Sequence, residues 1–136
     1  MRYLLDTNVC VDYFTGRHPS VGAGVQEAEP GSLCLSSVVV AELRYGADKS
    51  EHRRSNHTRI DTLIDELPVL PFDAQAARVF GRVRSYLERR GLVLGPYDML
   101  IAAHALAARL VLVTDNVREF GRVQDLKLEN WRAASG

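Results

Sequence analysis

Short apolar runs recur along the chain, each followed by a stretch with helical spacing, and this alternation limits the fold more than any other feature. Residues 110–114 form the clearest run: every side chain but the last is apolar. A strand with no polar alternation has to be covered on both faces, as strands inside a parallel sheet are. Residues 2–5, 33–36 and 69–72 are further strand candidates, and 127–128 would add a short edge strand. Helical patterns fill the intervals. Residues 38–49 follow Ser37 as a cap, and Ile60, Leu63, Ile64 and Leu67 share one helical face. Asp73 caps a helix with the apolar stripe Ala76, Phe80, Val83 and Leu87, which Gly91 stops. Pro96 suits the first turn of a helix reaching about Ala108. The expected fold is α/β, with a central, mostly parallel sheet of four to five strands flanked by helices. The 136 residues are expected to form one domain spanning 1–136.

Composition narrows the class. Hydrophobic residues make up 46% and charged residues 25%, so a core can form without disulfides or zinc. Cys10 and Cys34 show no metal-finger spacing and read as small buried hydrophobes. Asp6 interrupts the first apolar run, and no run reaches membrane-spanning length, so a cytoplasmic protein without a membrane is expected. The formal net charge of zero argues against a strong positive field for nucleic acid. The 17 basic residues are nevertheless all arginine except Lys49 and Lys127, and arginine grips phosphate bidentately. A GC-rich genome would give the same bias.

In open α/β sheets, sites form outside the carboxyl ends of the strands, and the acids gather there. Asp6 follows the first strand, with Thr7 and Asn8 beside it. Glu42 follows three valines in the helix after the second strand, an expensive place to bury an unpaired charge. Asp98 lies in the first turn of an alanine- and leucine-rich helix, whose positive N-terminus would keep it ionised. Asp115 and Asn116 follow the fourth strand and Thr114. Each acid alone could be a cap or a turn residue. Together they would repel, and they need a cation to stay ionised side by side. Oxygen-only ligands favour Mg²⁺ or Mn²⁺ over zinc. The histidines at 18, 52, 57 and 104 have no ligand spacing, and His104 reads as packed or capping.

The strings LLDTNV, VVVAELRYGA, GPYDMLIAAHA and LVTDNVREF, in this order, resemble the PIN domain, and most closely its VapC-type ribonuclease toxins. The resemblance runs from Asp6 to about Trp131. It implies a PIN-like three-layer sandwich, RNA cleavage dependent on Mg²⁺ or Mn²⁺, and a VapB-type antitoxin as partner. A homodimer or toxin–antitoxin hetero-oligomer is implied on the same footing, as are structured RNA substrates, tRNA among them. By position Asp6, Glu42 and Asp98 match the acids of the family site, with Asp6 and Asp98 as principal metal ligands. Thr7 and Thr114 match pocket-lining positions. The chain departs at the fourth acid: many relatives place an Asp where Asn116 stands, while Asp115 lies one residue earlier. Either Asn116 serves as a neutral ligand or hydrogen-bond donor, or Asp115 substitutes from a shifted direction. Glu119 matches a further acidic position, with a structural role or a supporting one behind the metal ligands.

Arg78, Arg82, Tyr86 and Arg89 fall within about 80° of one another on their helix, at about 100° per residue. They form either an RNA phosphate track or a solvated face. Val9, Val11 and Phe14 suit either a contact surface or the core. The competing functions are a metal-dependent DNA nuclease or phosphodiesterase using the same acids, and a catalytically inactive binding module.

Overall fold

A computed structural model describes residues 1–132. In chain order the elements are β1 (Tyr3–Leu5), α1 (Thr7–Thr15), α2 (Pro19–Glu27), β2 (Leu33–Ser36), α3 (Ser37–Asp48) and α4 (Arg53–Glu66). There follow β3 (Val69–Leu70), α5 (Ala74–Arg89), α6 (Pro96–Ala107), β4 (Val111–Val113), α7 (Val117–Phe120) and β5 (Leu128–Glu129). The strands form one sheet in the order β3-β2-β1-β4-β5. Every pairing is parallel. Consecutive residues of the inner strands are buried, namely Leu4 and Leu5, Cys34 and Leu35, and Leu112 and Val113. Neighbouring strand residues point to opposite faces, so both faces of the sheet are covered by helices.

The chain leaves β1 toward β2 on one side and returns to β4 on the other. The carboxyl end of β1 is therefore where the connections diverge, and a crevice opens there. The register sets Leu5 level with Val113, which brings residue 6 beside residue 114.

Helix α6 is only weakly amphipathic. Ile101, Ala102, Ala103, His104 and Ala105 are all buried, so the helix is enclosed nearly all round. Its small side chains let α5 lie close against it. The buried stripe of α5 is Ala76, Val79, Val83 and Leu87. Val79 takes the place expected for Phe80, which is only partly buried against the core. Gly91 ends this region with a φ of 66°, a conformation that glycine adopts without strain.

Strands β1, β3 and β4 are shorter than their apolar runs, since pairing stops before the runs do. Helix α2, with Gly22 and Gly24 inside it, has too weak a pattern to be expected. The N-cap of α3 is Ser36 and not Ser37. The Ser36 hydroxyl accepts from the Val38 N–H at 3.0 Å and lies 2.8 Å from His104 Nδ1. With its oxygen accepting from Val38, the hydroxyl proton is free to donate to Nδ1, which fits a neutral imidazole. Burial holds the His104 pKa below its ordinary value. One hydroxyl thus ties β2, α3 and α6 together beneath the crevice. Ser36→Ala removes the cap and leaves a buried ring nitrogen without a partner. It is expected to cost about 2–3 kcal/mol in urea unfolding, with Ser36→Thr costing less.

Candidate active site

Asp6 is held at the crevice by the first turn of α1, which it caps. Its Oδ1 accepts from the Thr7 N–H at 2.8 Å, and its Oδ2 accepts from Thr114 Oγ1 at 2.8 Å. Each carboxylate oxygen keeps a second lone pair, so the group is aimed without being used up. Asp6 is 4% exposed. Its pKa is raised to about 6 by burial first, against the two hydrogen bonds, and further by the charges of Asp98 and Glu42.

Glu42 projects from α3 into the same crevice, where Thr7 Oγ1 donates to its Oε1 at 2.8 Å. Asp98 stands in the first turn of α6, half-buried, and its pKa is raised by burial, then by Glu42 and Glu119. The helix N-terminus was expected to keep Asp98 readily ionised; desolvation and two neighbouring carboxylates outweigh it. Asp6, Glu42 and Asp98 therefore act on one another electrostatically, and Glu119 of α7 acts on Asp98.

At the fourth position Asn116 is a hydrogen-bond donor, as one of the two sequence alternatives has it, and Asp115 is engaged elsewhere. Asp115 Oδ2 forms an ion pair with Arg132 Nη1 at 3.0 Å, and Oδ1 lies 3.5 Å from the Asn8 amide. Arg132 also clasps the buried Asp12 through Nε at 2.8 Å and Nη2 at 3.1 Å. Asp115 and Asn8 thus belong to a charge-paired cluster behind α1, and Asp115 is not among the charges that shift Asp6 or Asp98. Asn116 does not supply an oxygen to the acids; its amide donates to Glu119 Oε2 at 3.0 Å, and its backbone N–H donates to Thr114 Oγ1 at 3.0 Å. Glu119, expected in a structural or supporting role, is a fourth carboxylate whose charge reaches Asp98, and it is held by the Asn116 amide. The one sequence cue to the Asp12–Arg132 pair was an acid inside the apolar run of α1, which must find a cation when buried.

Among the described residues, no three His, Cys, Asp or Glu side chains stand close enough to grip one ion between them. The donor chemistry still fits a hard divalent cation. The groups are carboxylates, two of them hold protons above the ordinary range, and a cation would relieve that repulsion. Mg²⁺ typically takes one or two protein carboxylates and keeps several waters, so a tight cage is not required.

Arg78, Arg82 and Arg89 are exposed on α5. Among the described residues none of the three pairs with a carboxylate, whereas Arg84 beside them pairs with Glu88 at 3.4 Å. Arg82 and Arg89 border a groove of about 670 Å³ between α5 and residues 123–125, floored by Val79, Val83 and Tyr86. The Arg90 guanidinium lies 4.4 Å from the centre of the Tyr86 ring.

The PIN domain family matches residues 3–126. Ribonuclease VapC2 of Rickettsia felis is 41% identical over 96% of this chain and 98% of its own length. The tRNA(fMet)-specific endonuclease VapC of Shigella flexneri is 39% identical over the same shares. Among solved structures, DNA-bound VapBC from Salmonella typhimurium superposes with a TM-score of 0.91 at 37% identity, covering 96% of this chain and 98% of that one. VapBC2 from Rickettsia felis, bound to a DNA fragment from their promoter, gives 0.87 at 36% identity, covering 96% and 99%. The chain belongs to the PIN-domain family, in its VapC ribonuclease branch.

The raised pKa of Asp6 has a sign that can be measured. A carboxyl that holds its proton more tightly when folded contributes stability below about pH 4, and that contribution is lost as pH rises through about 6. Without a divalent ion, Asp6→Asn should be more stable than the wild type at pH 7.5 by up to about 3 kcal/mol, and about equal to it at pH 4. The difference between the two proteins cancels His104, whose depressed pKa acts in the opposite direction. Millimolar Mg²⁺ should raise the thermal midpoint of the wild type at pH 7.5 and leave that of Asp6→Asn nearly unchanged.

Proposed function

We propose that this protein is a Mg²⁺- or Mn²⁺-dependent endoribonuclease, the toxin of a VapBC-type toxin–antitoxin pair held in check by a VapB-type antitoxin in the cytoplasm. The observation that carries this reading is Asp6. It is a buried, doubly oriented carboxylate at the point where the sheet connections diverge, coupled to Asp98 and Glu42. Nearly full-length similarity to proteins named ribonuclease or tRNA endonuclease supports RNA as the substrate, with structured RNA such as tRNA as its class. No helix among the described residues is long and apolar enough to cross a membrane.

Asp6 and Asp98 would hold the ion, and Asp6 keeps lone pairs that Thr7 and Thr114 do not use. When bound, the ion supplies positive charge for the phosphate and a water of lowered pKa. Thr7 orients Glu42 through Oε1, and the carboxylate keeps free lone pairs with which it would orient the attacking water or complete the ion's shell. Asn116 steadies Glu119 beside Asp98. This supplies a fourth negative charge where the residue at 116 is neutral, which weighs against an inactive module. Attack by water and not by the ribose 2′-hydroxyl leaves 5′-phosphate and 3′-hydroxyl ends. Arg78, Arg82 and Arg89 would steer the phosphate backbone from outside the crevice.

Purified protein, freed of co-purifying partner, should cut total bacterial RNA into discrete fragments in Mg²⁺ or Mn²⁺. Cutting should stop in excess EDTA and fall at least about 100-fold in Asp6→Asn. Identical behaviour of wild type and Asp6→Asn would mark any cleavage as contamination, 2′,3′-cyclic phosphate ends would overturn the water mechanism, and equal cleavage of matching DNA would favour a general nuclease. Replacing Arg78 and Arg82 together by alanine should lower the slope of log affinity against log salt by about one to two. An unchanged slope would return that face to a solvated one.

A further inference from the structure

The chain has ten aromatic residues, and only two of them are exposed, Tyr45 and Tyr97. The other eight are buried or half-buried. Tyr45 is 66% exposed and Tyr97 58%. Both adjoin a crevice carboxylate. Tyr97 directly precedes Asp98 in the first turn of α6, and Tyr45 lies one turn beyond Glu42 on α3, about 60° round the helix. Helices α3 and α6 pack against each other, so the two rings stand on neighbouring elements. Tyr45 is open to solvent even with the Lys49 ammonium 4.9 Å from its ring centre.

The crevice is a poor place to hold RNA by charge alone, because its own side chains are acidic. Beyond what a bound ion supplies to the scissile phosphate, an uncharged contact can add affinity beside it. Flat rings supply one by stacking on bases, and every base has a face to offer. Bases inside a duplex are already stacked on each other and out of reach, whereas loop nucleotides can splay onto a ring. Next to Tyr45, Lys49 offers a cation to the phosphate that follows a stacked base.

We propose that Tyr45 and Tyr97 are specificity-determining residues that stack on unpaired bases beside the cleavage point and restrict the site to single-stranded or looped RNA. This rests on the nuclease reading above. The test uses an RNA hairpin with an open loop and the fully paired duplex of the same loop sequence, with equilibrium binding in Ca²⁺ and cleavage in Mg²⁺. Tyr45→Ala and Tyr97→Ala are each expected to weaken hairpin binding about ten-fold, while Tyr45→Phe and Tyr97→Phe retain it. The salt slope should be the same in all four variants, because stacking releases no counterions. Unchanged hairpin binding in both alanine variants would overturn the proposal, and so would wild-type protein that binds the duplex as tightly as the hairpin. Alanine variants that bind RNA normally but lose self-association would assign the rings to a protein contact and overturn it equally. Wild-type protein that binds the hairpin through these rings yet cleaves nothing would sink the nuclease reading and leave the stacking contact standing.

Discussion

The parallel register between β1 and β4 is the constraint on which the rest of the site depends. It sets Leu5 beside Val113 and so delivers Thr114 Oγ1 to Asp6 Oδ2. A shift by one residue would turn every side chain of β1 to the other face. The register is guarded by burial, since Leu4, Leu5, Leu112 and Val113 are each at most 1% exposed. The apolar core thus fixes the direction of a carboxylate, and the chemistry at the crevice inherits its precision from van der Waals packing below.

That carboxylate is a liability to the fold that carries it. Burial and the neighbouring acids both oppose its ionisation, and its two hydrogen bonds only partly offset them. Structures that concentrate like charge in this way store free energy that a suitable cation can release. Elsewhere the chain neutralises its buried acid from within, as Arg132 does for Asp12. The contrast separates two uses of aspartate in one small protein: Asp12 is satisfied internally, and Asp6 is left in want of a partner.

Much of this was legible in the residues. The strands announce themselves as apolar runs, and Asp6, Glu42 and Asp98 stand where a parallel sheet places its sites. Legibility ends where a single side chain has a choice of neighbours. Asp115 and Glu119 are four residues apart, and either could have faced the crevice. The choice falls to Arg132, whose three-way clasp with Asp12 and Asp115 joins positions 120 residues apart. No local pattern carries such a contact. The shift of the α3 cap from Ser37 to Ser36 has the same origin, because the buried His104 fixes which serine sits at the helix start. Helix α2 was obscured by its glycines, and it forms because Val21 is buried in the core.

Helix α6 carries a consequence for how such proteins diversify. Three of its buried positions, Ala102, Ala103 and Ala105, are alanines with no solvent exposure, so nearly any replacement there enlarges a side chain and pushes on its neighbours. The residues at its mouth, Tyr97 and the exposed Val93 before it, face no such barrier. Descendants of this sequence can therefore explore new targets by exchanging surface residues around an unchanging acidic centre. Packing constrains the helix interior, whereas the rim answers only to what binds there.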